Sequence, residues 1–106
     1  MEKDEWVEKF KQQILPQIVK EYRPKRILLF GSRIKRTSNI NSDLDVIIIS
    51  DSFYNIPFIS RMSNVLKKFK FTKHIDYLCY TPEEFERIKD NSSILIDALE
   101  DAEIII

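Results

Sequence analysis

Glycine is almost missing from this chain. Gly31 is the one glycine in 106 residues, where average usage of about 7% would give roughly seven. Turns elsewhere are made by other residues, so Gly31 marks a point that needs bare backbone. Cysteine is equally scarce: a lone Cys79 excludes an internal disulfide. No cationic, apolar, small-residue leader opens the chain, and cytoplasm is the expected compartment. Long apolar runs are lacking too. The longest are four residues, as at Ile27 to Phe30 and Val46 to Ile49, far short of the roughly 20 that a membrane-spanning helix needs. Nor does one sign of charge prevail: Lys plus Arg number 17 and Asp plus Glu 17. Bulk charge therefore makes no case for nucleic acid or a membrane as partner, and direct nucleic-acid binding is not expected.

The balance hides an uneven distribution. Lys20 to Arg36 holds seven basic residues and one acid, whereas Glu83 to Glu103 holds eight acids against Arg87 and Lys89. Solvated faces of opposite sign account for this, as does a basic rim over a polyphosphate site. The length suits one domain, residues 1–106, with one core and about two-thirds of its unfolded surface buried.

Hydrophobic spacing supplies the elements. Trp6, Val7, Phe10, Ile14, Ile18, Val19 and Tyr22 recur at intervals of three and four and predict an amphipathic helix, broken near Leu15 by Pro16. Ile27 to Phe30 and Asp43 to Ile49 read as buried strands separated by a polar, turn-rich stretch. Phe58, Met62, Val65, Leu66 and Phe69 predict a second helix, and His74 to Tyr80 another strand. Thr81-Pro82-Glu83-Glu84 sets a cap residue, a first-turn proline and an acid at the third helical position in register. A last helix over Ile94 to Glu100 and a closing edge strand over Glu103 to Ile106 complete a layered α/β (α+β) arrangement of a sheet with helices packed on it. Trp6 and Cys79 read as core residues.

Three features carry chemistry. Gly31 follows a strand and precedes Ser32, so main-chain N–H groups and a hydroxyl can face a concave space that admits phosphate oxygens. Ten residues beyond Ser32, Asp43-Leu44-Asp45 head the isoleucine strand. Side chains two apart on a strand share a face, roughly 7 Å apart, which lets both carboxylates converge on cations. Leu44, Val46 and Ile48 then face the packed helices, leaving the acids on the open side. Asp76, between Ile75 and Tyr77, is the candidate third carboxylate that a two-metal centre requires. Each feature has a plainer account: a turn glycine, two wet acids at a strand start, and an ion pair between Asp76 and a lysine. His74 fits a general base, but better a cleft wall or a partner contact.

Leu29-Phe30-Gly31-Ser32, Asp43-Leu44-Asp45, and Asp76 in a strand before Thr81-Pro82-Glu83-Glu84-Phe85 together closely resemble the minimal nucleotidyltransferases of the DNA polymerase beta superfamily, over nearly the whole chain. The resemblance implies a nucleotidyltransferase fold, a small mixed sheet flanked by helices. It implies that Gly31 and Ser32 hold the triphosphate, that Asp43, Asp45 and Asp76 bind two Mg²⁺ ions and are catalytic, and that ATP is the substrate. Lys35 stands where the family commonly has a phosphate-binding arginine, with Arg33 assisting, and Arg36 stands where a second glycine is usual. Family members this short resemble the antitoxin half of toxin–antitoxin pairs, which AMPylate a tyrosine of a helical HEPN ribonuclease. A HEPN protein is thus the implied partner, with homo-oligomerisation left open. A catalytically weak antitoxin acting by contact and a small-molecule adenylyltransferase are the alternatives.

Overall fold

The computed structural model describes residues 4–31 and 43–106. Five α-helices and four strands occur among them. Helix α1 (Glu5–Gln13) starts at Asp4, whose side chain accepts from the N–H groups of Trp6 and Val7. Helix α2 (Leu15–Tyr22) follows at Ile14, with Pro16 in its first turn where a missing N–H costs nothing. The break expected near Leu15 is there. Helix α2 ends at Arg23, which adopts φ 45°, a left-handed conformation normally left to glycine. Scarcity of glycine thus has a local cost, about 1 kcal/mol for a residue with a Cβ.

Strands β1 (Arg26–Phe30), β2 (Leu44–Ile49), β3 (Ile75–Tyr80) and β4 (Glu103–Ile104) form one mixed sheet in the order β3-β2-β1-β4. Strand β1 runs antiparallel to β2, pairing Phe30 with Asp45, and antiparallel to β4. Strands β2 and β3 are parallel, pairing Asp45 with Asp76. Their crossover contains a 3-10 turn (Asp51–Phe53) and α3 (Phe58–Lys68). Helix α4 (Pro82–Ile88) carries the expected capping box between Thr81 and Glu84, and α5 (Ser93–Glu100) starts on Ser92.

Alternation along the strands divides the core. Ile27, Leu29, Leu44, Val46, Ile48, Ile75, Tyr77 and Cys79 face one cluster with Val7, Phe10, Ile14, Ile18 and Val65. Leu28, Ile47, Ile49 and Tyr80 face a second with Phe85, Ile88, Leu95 and Leu99 of α4 and α5. The face bearing Asp45 and Asp76 is therefore not open along its length, as the sequence suggested. Helices cover it from Ile47 and Leu78 onward, and among the described residues only its first pair, Asp45 and Asp76, is left uncovered by them.

Three readings of the core need correction. Val19 is exposed, and Trp6 is half-buried, packed edge-on against Phe71 with Lys9 over its ring. In α3, Phe58 is exposed while Arg61 is 4% exposed, the reverse of what hydrophobicity alone predicts. Arg61 is held by the carbonyls of Ile56 (2.9 Å) and Cys79 (3.2 Å) and by both carboxylate oxygens of Glu84. A buried guanidinium is tolerated when its donors are matched in this way.

Candidate active site

Because β2 and β3 are parallel and in register, their first residues lie at the same end of the sheet. Antiparallel β1 ends there. Register pairs Phe30 with Asp45 and Asp45 with Asp76, so these three form a row across three strands, and Gly31 follows Phe30 directly at the same end. Asp43, two residues before Asp45, completes the group. One donor atom each from Asp43, His74 and Asp76 lies within 4.8 Å of the other two.

Gly31 has two reasons to lack a side chain. Its φ is +85°, a region that residues with a Cβ rarely enter. A Cβ on it would also collide with the Asp45 carboxylate. The bare backbone that the sequence linked to phosphate approach is, in the fold, first of all room for an aspartate.

Electrostatics mark Asp45 out. Burial, then the negative charges of Asp76 and Asp43, push its carboxyl up to about 6, with His74 pulling the other way. Nearby acids that disfavour one another's ionisation are relieved by a cation. Asp76 is about half exposed, and its Oδ1 lies 2.9 Å from His74 Nε2. Among the described residues its partner is thus an imidazole, where the plainer account supposed a lysine. Carboxylate oxygens suit a hard divalent cation such as Mg²⁺; Asp43 and Asp76 bring theirs within 4.8 Å of each other and of His74, and Asp45 pairs with Asp76 beside them, so the residues present fit the metal that the sequence pattern implies.

The structure thus brings together Gly31, Asp43, Asp45 and Asp76. Ser32, Arg33, Lys35 and Arg36 lie outside the described residues. Sequence reasoning underrated His74, whose alternation with Asp76 along one strand was the available signal. It also missed Arg61, which no periodicity could mark.

Comparison with known proteins shows the family. Residues 12–102 match the family model described as polymerase beta, nucleotidyltransferase, and the chain belongs to that family. No curated protein matches it. Among solved structures, a Sulfolobus solfataricus protein described as a candidate nucleotidyltransferase superposes with a TM-score of 0.60, at 16% identity, over 97% of this chain and 87% of the other. At that identity the likeness is one of fold. No helix among the described residues is long and apolar enough to cross a membrane.

Proposed function

We propose that this chain transfers AMP from ATP onto a hydroxyl, with a tyrosine of a helical HEPN partner as the acceptor, so that the protein serves as an antitoxin. The observation that carries the reading is the pairing of Asp45 with Asp76 on two parallel strands, with Asp43 close to both, at the sheet end where Gly31 leaves bare backbone. Family membership supports nucleotidyl transfer as the class of reaction.

Asp43, Asp45 and Asp76 would hold two Mg²⁺ ions, while Gly31 and Ser32, assisted by Arg33 and Lys35, would take the triphosphate. Divalent cations bound there supply charge for the phosphates and lower the pKa of the acceptor hydroxyl. The acceptor oxygen bonds to the α-phosphorus, the bond to the bridging oxygen breaks, and pyrophosphate leaves. Asp76 helps take up the acceptor's proton. Gly31 keeps the Asp45 carboxylate in place by leaving room for it, and the helical layer from Ile47 onward backs the site with apolar side chains. A protein partner is supported by exposed apolar residues at the start of α3, Phe58 at 53% and Ile59 at 88% exposure.

Intact mass of a co-encoded helical partner, after incubation with this protein, ATP and Mg²⁺, should rise by one or more AMP units. Asp43→Ala with Asp45→Ala should abolish the gain, a loss on the order of 10³-fold or more in rate. If that double variant neutralised the partner as well as the native chain, neutralisation by contact would replace this reading.

A further inference from the structure

His74 is the titratable side chain of the site to which the proposed reaction gives no task. Alternation along the chain puts it on the same side as Asp76, with Nε2 2.9 Å from Asp76 Oδ1. It belongs to the same three-residue group as Asp43, with donor atoms all within 4.8 Å of one another. The His74 and Asp76 side chains are 50% and 49% exposed, so a hydrated cation can reach both.

We propose that His74 is a nitrogen ligand of the cation held by Asp43 and Asp76, and that it shifts the site's preference from Mg²⁺ toward transition metals such as Co²⁺. The inference rests on the metal-dependent reading above and adds the identity of the metal class. Adjacent ligands in an octahedral shell with bonds of about 2.1 Å are roughly 3 Å apart, close to the observed 2.9 Å. The pair therefore needs little movement to bind one ion together. An imidazole nitrogen carries no charge in its neutral form and adds little for Mg²⁺, which prefers oxygen and its own waters. It adds much more for first-row transition ions, which take nitrogen readily. The competing role is that Nε2–H donates to Asp76 and merely orients it, which would help every cation alike.

The two roles separate by calorimetric titration of the full chain with Co²⁺ and with Mg²⁺, alongside the visible absorption of bound Co²⁺. Removal of the imidazole in His74→Ala should weaken Co²⁺ by about tenfold or more, alter its absorption band, and leave Mg²⁺ within about threefold. His74→Gln, which keeps an N–H donor, should behave like His74→Ala toward Co²⁺. Equal weakening of both ions, restored by His74→Gln, would overturn the proposal in favour of an orienting hydrogen bond, and unchanged Co²⁺ binding would overturn it outright. Asp76→Asn separates this failure from that of the parent reading. If Asp76→Asn bound both ions like the native chain, the metal centre itself would fall; if it lost both while His74→Ala lost neither, only the role of His74 would.

Discussion

Two clusters of charge sit against the same sheet and are treated in opposite ways. At one, Arg61 is buried but finished: two carbonyls and the two oxygens of Glu84 take its donors, and Phe53 and Phe58 flank its guanidinium. At the other, Asp43, Asp45 and Asp76 crowd together, with one imidazole beside them among the described residues. The carboxyls record the difference. Hydrogen bonding to Arg61 holds Glu84 below the usual carboxylate range, whereas burial and like charge raise Asp45 to about 6. A charge cluster that the protein completes by itself is structural; one left incomplete is poised for a ligand of opposite sign.

Breaking the completed cluster should have the largest effect on stability. Arg61→Ala leaves the Glu84 carboxylate and two carbonyls without their donor and should cost about 3–5 kcal/mol, read from urea unfolding, with transfer per folded molecule little changed. A loss below about 1 kcal/mol would remove the contrast.

Gly31→Ala probes the join between turn and carboxylate. Strain at positive φ and the collision with Asp45 should together cost about 2 kcal/mol. In combination with Asp45→Ala only the backbone strain persists, so the two changes should be less than additive in a double-mutant cycle. Additivity would mean that the carboxylate does not occupy the space above Gly31.

The smallest effect separates the two carboxylates by sign. A raised acid contributes stability that is full below its unfolded value of 3.8 and is lost as pH rises through about 6. Glu84, being lowered, contributes stability that is present above its unfolded value of 4.5 and is lost as pH falls. Asp45→Asn should therefore stabilise the metal-free protein at pH 8, by on the order of 1 kcal/mol once solvent screening of a half-buried group is allowed for. The gain should vanish near pH 4. Divalent cations should stabilise the native chain more than the variant, as read by thermal unfolding. Glu84→Gln should destabilise at pH 8, and the same sign for both substitutions would refute the contrast.

Much of this was legible in the residues. Apolar spacing marked α1 to α3 and the three longer strands, Pro16 marked the break between α1 and α2, and Thr81 to Glu84 marked the start of α4, while the closing strand is shorter than expected, Glu103–Ile104. These are local effects, set by backbone hydrogen bonding and by side chains within a turn of one another. The Asp43, Asp45 and Asp76 set was also visible, because a pattern of charges at apolar strand starts is unusual enough to stand out.

Other features had no local signature. Parallel pairing of β2 with β3 puts Asp76 beside Asp45, and only the crossover through α3 decides that. Arg61 is exposed in any isolated helix; it is buried because β3 and α4 bring a carbonyl and a carboxylate to meet it. Gly31 is empty for the sake of an aspartate 14 positions away in the chain. Sequence alone determined the elements and the chemical types available, since both follow from neighbours along the chain. Tertiary structure decided which charges are satisfied and which are left for a ligand, since burial and pairing are set by groups distant in sequence.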